Sequence, residues 1–256
     1  KISVIQYDIS WEDKHVNFRR IEDLLSTLAA GTELVILPEM FTTGFSMKPR
    51  KLYEQPLSET FKWMLKISSE GKFGICGSYI VRDGDCYYNR WVMVTPGAES
   101  WHYDKRHLFS ISGEETAFTP GNERMVFKFA NARICPNICY DLRFPVWSRN
   151  RNDYDLLVNS ANWPEARRDV WLTLLKARAI ENQCYVAASN RVGTDGSGIK
   201  YCGDSMIINP KGQIITQAEN KECVITADIS IEELSDFRHK YPVLSDADNF
   251  IITGNQ

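Results

Sequence analysis

The 256-residue sequence has no apolar run approaching the roughly 20 residues that a membrane-spanning helix needs. Its opening, KISVIQYDIS, reads as a short strand without signal-peptide architecture. It also lacks an excess of either charge: 30 Lys and Arg against 33 Asp and Glu, mixed along the chain, leave a formal net charge of -3. Such a balance gives no electrostatic footprint for a nucleic-acid backbone or an anionic membrane surface. Histidine is scarce, and His15, His102, His107 and His239 show no paired ligand spacing. No C-x-x-C pair occurs among the seven cysteines either, so no metal is expected. An odd set of cysteines in apolar contexts argues against a secreted disulfide framework and makes the cytosol the simplest location. No Gly/Ser/Pro-rich linker or low-complexity tract divides the chain, so a single domain over 1–256 is expected.

What is present is a core-forming composition, 43% hydrophobic and 25% charged. Strand-like runs recur at 2–7, 34–37, 73–81, 87–94, 132–138, 155–159, 184–188, 204–208, 213–216 and 223–227. Helical spacing appears in Phe18, Ile21, Leu25 and Leu28, which stop before Gly31, and in Phe61, Met64, Leu65 and Ser68. A third helix over about 167–182 puts Trp171, Leu174, Leu175 and Arg178 on one face. Strands alternating with helices predict an α/β layered fold, and the runs at 73–103 and 202–227 add antiparallel pairing. The strand-helix-strand opening at 2–37 is loosely echoed at 133–159, a weak sign of duplication.

Three polar residues stand where apolar strands end. Glu39 follows LVILP, Lys105 follows WHYD, and Cys139 leaves the run ICPNI for a helical stretch near Arg143. Ligands of α/β sheets bind beyond the carboxyl ends of strands, so three such exits are expected to converge, with the thiol at a strand-to-helix turn. Pro136 within the run before Cys139 predicts an edge position or a bulge there.

These residues carry a resemblance. LPEMFTTGF (37–45), YDKRHLF (103–109) and ICYDLRFPVWSRN (138–150) resemble, in order, the Glu, Lys and Cys signatures of the carbon-nitrogen hydrolase (nitrilase) family. GEETAFTPG (113–121), SANWPEAR (160–167), KARAIENQCYV (176–186), SNRVG (189–193) and GDSMIINPKG (203–212) extend the similarity over the whole chain, although Asn209 stands where the family often has Asp. MFTTGFSM (40–47) and DYDLLVNSANWP (153–164) are most similar to its omega-amidase branch.

The resemblance implies a four-layer αββα sandwich, commonly paired as a homodimer, and a hydrolase that uses no cofactor. It implies Cys139 as nucleophile, Glu39 as general base, and Lys105 with the backbone N–H of Tyr140 as oxyanion donors. Glu114, rather than Glu115, would position Lys105. Phe41, Phe45, Asn162 and Trp163 are candidate pocket walls, with plain core packing as the alternative for the aromatics. The substrate implied is a small 2-oxo dicarboxylic acid monoamide such as 2-oxoglutaramate. Its distal carboxylate needs a cation, for which Arg143, Arg167 and Arg191 are candidates; Arg143, beside the Cys139 turn, reads equally as a structural anchor. Other amides, carbamoyl amines or nitriles are the alternative substrates, and a non-catalytic binding protein on the same fold is the alternative class.

Overall fold

The computed structural model describes residues 1–253. The first half of the chain supplies β1 (Ile2–Gln6), β2 (Leu34–Ile36), β3 (Gly74–Asp83), β4 (Cys86–Val94) and β5 (Ser100–Asp104). The second half supplies β6 (Phe127–Phe129), β7 (Ala132–Ile138), β8 (Leu156–Ser160) and β9 (Tyr185–Ser189). A hairpin of β10 (Val192–Thr194) and β11 (Lys200–Cys202) follows, then β12 (Met206–Ile208), β13 (Ile214–Gln217) and β14 (Cys223–Ala227). Apart from that hairpin, the strands form two six-stranded sheets, ordered β14-β1-β2-β3-β4-β5 and β13-β12-β9-β8-β7-β6.

The sheets face each other, and alternation explains the unbroken apolar runs. On β1 and β2, Ile2, Val4, Leu34 and Ile36 enter the core between the sheets, while Ile5, Val35 and Leu37 face an outer layer of helices. That layer is built by the helices Lys14–Leu25 and Glu59–Gly71, whose Phe18 and Trp63 rings stack at 4.4 Å. Asp13 caps the first helix by accepting from the Val16 N–H. The helix Arg168–Glu181 covers the second sheet through Trp171, Leu175 and Ala179, with Leu174 half-buried. Buried Arg178 shares that face and donates to the Leu142 carbonyl and Glu181. The layers are helix, sheet, sheet and helix, the expected sandwich.

Both sheets repeat one pairing pattern. From β14 the first runs antiparallel, parallel, parallel, antiparallel, antiparallel, and from β6 the second does the same. The echo between 2–37 and 133–159 is therefore a repeat of topology. One expectation needs correcting: β12 and β13 pair as a hairpin, but β14 leaves them and pairs with β1 in the other sheet. At Pro136 the strand is locally an edge, since β6 pairs with β7 only as far as Ile134. No helix among the described residues is long and apolar enough to cross a membrane.

Candidate active site

Glu39, Lys105 and Cys139 converge at the strand ends, between the two sheets. Glu39 follows β2 and is completely buried. Two hydrogen bonds across the sheets hold its approach: Ser160 Oγ donates to the Leu37 carbonyl (2.8 Å) and Asn162 Nδ2 to that of Glu39 (2.6 Å). The carboxylate receives Lys105 Nζ (2.9 Å) and Asn89 Nδ2 (2.8 Å) on Oε1, and the Asn162 N–H (2.9 Å) on Oε2. A buried carboxylate so supplied with donors is satisfied without leaving its site.

Lys105 follows β5, and its side chain is fully buried between Glu39 and Glu114, which accepts on both oxygens at 3.1 and 2.8 Å. Burial works to deprotonate the lysine, but the charges of Glu114 and Glu39 outweigh it and hold the ammonium above its usual range. Burial, helped by Glu39, raises the Glu114 carboxyl against the pull of Lys105. Glu115 is exposed. The segment carrying Lys105 is pinned by Gly121, whose N–H donates to the Lys105 carbonyl (2.9 Å). A Cβ at Gly121 would stand 2.2 Å from the Asp104 carbonyl oxygen, a backbone atom that cannot yield cheaply. Gly121→Ala is accordingly expected to destabilise the fold by about 1–3 kcal/mol and to lower activity, as checked by urea denaturation beside turnover; unchanged values for both would contradict this.

Cys139 ends β7 in the left-handed region, at φ 44°, a costly conformation for a residue with a Cβ. Buried Asp141 holds the turn, accepting from the Ile138 N–H (3.0 Å), Tyr103 Oη (2.8 Å) and the His107 N–H (2.9 Å). One carboxylate thus ties the cysteine turn to the segment around Lys105. The Cys139 thiol faces the Asn162 carbonyl at 3.8 Å. Burial, reinforced by Glu39, pushes the thiol well above its ordinary range, with Lys105 pulling the other way.

Above Cys139 lies a cavity of about 60 Å³. Phe45, Phe109, Tyr140, Asn162, Trp163, Arg143, Arg167, Ile199 and Tyr201 line it, and Lys105 Nζ sits 5.1 Å from the centre of the Phe45 ring. Two pocket candidates do not reach it. Phe41 is completely buried in the outer core beside Trp63 and Tyr79, because the chain turns between residues 39 and 41 and points it away. Arg191 is also fully buried; it pairs with Asp8 at 2.7 Å and packs 4.8 Å behind the Tyr201 ring, supporting the wall from outside. Arg143 and Arg167 do line the cavity, and neither has an ion-pair or side-chain hydrogen-bond partner among the described residues. Asn89 and Tyr201 were not singled out from sequence. A signal existed for Asn89, an uncharged polar residue within the run YYNRWVMV; Tyr201 gave none.

Residues 1–239 match the family model described as "Carbon-nitrogen hydrolase". The chain belongs to the carbon-nitrogen hydrolase family and is an enzyme of it. Over 251 residues it is 42% identical to the omega-amidase YafV of Escherichia coli, covering 98% of this chain and 97% of that protein. It is 32% identical to the 2-oxoglutaramate amidase of Bacillus subtilis, covering 96% of each. A CN-hydrolase superfamily protein from Xanthomonas campestris, solved with an arsenic adduct in its active site, superposes with a TM-score of 0.96. It is 40% identical, with 98% of each chain covered.

Proposed function

We propose that this enzyme hydrolyses the terminal amide of small dicarboxylic acid monoamides, with 2-oxoglutaramate as the leading substrate. The observation that carries the reading is the pair of guanidinium groups on the wall of the cavity that holds Cys139, Arg143 over the Trp163 ring and Arg167 over the Phe109 ring, neither with a carboxylate partner among the described residues. An arginine without a carboxylate partner, facing a cavity, suits the distal carboxylate of a substrate whose amide end lies at the thiol. Two relatives that cover nearly the whole chain carry omega-amidase and 2-oxoglutaramate amidase names, which supports the same reading.

In the proposed reaction Glu39 takes the thiol proton as Cys139 sulfur attacks the amide carbon. Lys105 and the N–H of Tyr140 stabilise the oxyanion; that N–H opens a helical turn and so has no acceptor within it. The carbon-nitrogen bond breaks, the proton held by Glu39 goes to the leaving nitrogen, and ammonia departs from a thioester. Glu39 then deprotonates a water that attacks the thioester, giving the carboxylate and restoring the thiol. Glu114 holds Lys105 throughout.

The test uses a panel of 2-oxoglutaramate, glutamine, a neutral aliphatic amide, a carbamoyl amine and a nitrile, with ammonia as the readout. Arg143→Gln and Arg167→Gln are each expected to lower kcat/KM for the anionic monoamide about 10-fold or more, chiefly through KM. The neutral amide should be affected far less. Equal losses on both substrates would remove the arginines from substrate recognition.

A homodimer in the cytosol belongs to the same proposal. Exposed Val146 and Ile180 lie on neighbouring helical segments of the outer face, joined where Arg149 donates to the Glu181 carbonyl, and offer apolar surface for a second copy. The seven cysteines are unpaired.

A further inference from the structure

Asn89 lies on β4 and is completely buried. Its side-chain amide donates to Glu39 Oε1 at 2.8 Å and to Glu114 Oε1 at 3.3 Å. Its main-chain carbonyl accepts the N–H of Lys105 at 3.0 Å. One residue therefore touches both carboxylates of the site and the main chain of the lysine between them. The amide cannot be turned over, since that would set its oxygen against two carboxylates. In the observed orientation Asn89 Oδ1 has no partner, an unsatisfied acceptor kept for the sake of the donor end.

The two oxygens of Glu39 are not equivalent. Oε1 takes both Asn89 and Lys105, whereas Oε2 receives only the N–H of Asn162, the residue whose carbonyl faces Cys139 Sγ. We infer that Asn89 is the positioning residue that decides which oxygen of Glu39 works. By holding Oε1 together with Lys105, it leaves Oε2 to take the thiol proton. The inference rests on the proposed role of Glu39 as base.

Beside Lys105 and the N–H groups of Asn162 on Glu39 and Phe109 on Glu114, Asn89 supplies a further donor to both buried carboxylates without adding charge. A donor to a carboxylate favours its ionised form. The ionisable groups around this centre are Glu39, Lys105, Glu114 and Cys139, with Tyr140, Tyr201, Arg143 and Arg167 on the cavity wall. Removing the amide should therefore move the acid limb of the pH–rate profile to higher pH.

The experiment measures kcat and kcat/KM for 2-oxoglutaramate from pH 5 to 9 in Asn89→Leu and Asn89→Asp, with Glu39→Gln in parallel. Asn89→Leu keeps the size and deletes the donor. It is expected to lower kcat about 10- to 100-fold with KM little changed, and to move the acid limb up by about one pH unit. Asn89→Asp mimics the amide only while its introduced carboxyl carries a proton, so its activity should fall as pH rises. A residue that merely packs would lower the amplitude and leave the limbs in place. Limbs in place in both variants, or failure of both to fold, would overturn the inference. Substantial activity in Glu39→Gln would instead sink the base assignment, whereas an inactive Glu39→Gln beside unmoved Asn89 variants would remove the inference alone.

Discussion

Cys139→Ala is expected to abolish ammonia release from 2-oxoglutaramate, by a factor of at least about 10⁴, because in the proposed reaction its sulfur forms the acyl intermediate. Cys135, the nearest cysteine in sequence, is buried in the core, with its thiol pushed up to about 12 by burial, so it offers no substitute. The change removes one sulfur atom beside a cavity and leaves the hydrogen bonds of the turn in place, since those are made by Asp141. Thermal stability should therefore stay near wild type. A folded variant that still releases ammonia would eliminate the cysteine as nucleophile, whatever the substrate. Turnover by the intact enzyme of a neutral amide or nitrile, but not of the monoamide, would keep the nucleophile and discard the substrate.

Lys105→Met should damage both activity and stability, because the lysine neutralises two buried carboxylates and, in the proposed reaction, also holds the oxyanion. Without it, Glu39 and Glu114 share a fully buried site with no cation between them. Breaking a buried ion pair from one side typically costs about 3–5 kcal/mol, and loss of an oxyanion donor about 10²–10³ in kcat. The stability loss should depend on pH in a definite direction. Burial already holds Glu114 above its ordinary value, and removing the ammonium raises such a carboxyl further. A carboxyl whose folded value exceeds its unfolded one binds a proton on folding, so its penalty is absent at low pH and grows as pH rises. Chemical denaturation should show a smaller gap between variant and wild type at pH 5 than at pH 8. A gap independent of pH would indicate lost packing rather than uncompensated charge.

Much of this site was legible because its residues end strands. An apolar run that stops at a lone Glu, Lys or Cys marks a place where the chain leaves the sheet, and the three exits meet as expected. What sequence could not give was direction. Phe41 and Phe45 lie four residues apart in the stretch FTTGF, yet one faces the outer core and the other the lysine. The chain turns just before each of them, at Met40 (φ 43°) and Gly44 (φ 73°), and leaves no periodicity from which to read a face. Arg191 was misplaced for a similar reason: its charge suggests a ligand, but Asp8, far away in sequence, claims it. Asn89 could be seen as an oddity in a strand, while its use depended on two carboxylates brought to it from separate loops. The crossing of β14 was likewise hidden, since adjacent strand-like runs give no sign of a change of sheet.

That crossing sets the order in which the molecule can be completed. Ile2 pairs with Ala227 and Gln6 with Cys223, so β1 emerges from the ribosome long before β14 exists. At about 5–20 residues per second, the roughly 220 intervening residues take on the order of 10–45 s to make. Through that interval β1, apolar on both faces, has one edge bare, the condition under which nascent chains recruit chaperones or associate with one another. Ser189, which donates from β9 to the Ile5 carbonyl, can brace the strand earlier, but only from one side. Cys139 and Glu39 are thus translated well before the sheet that carries Glu39 can close, and that sheet is complete only when nearly the last strand of the chain reaches nearly the first.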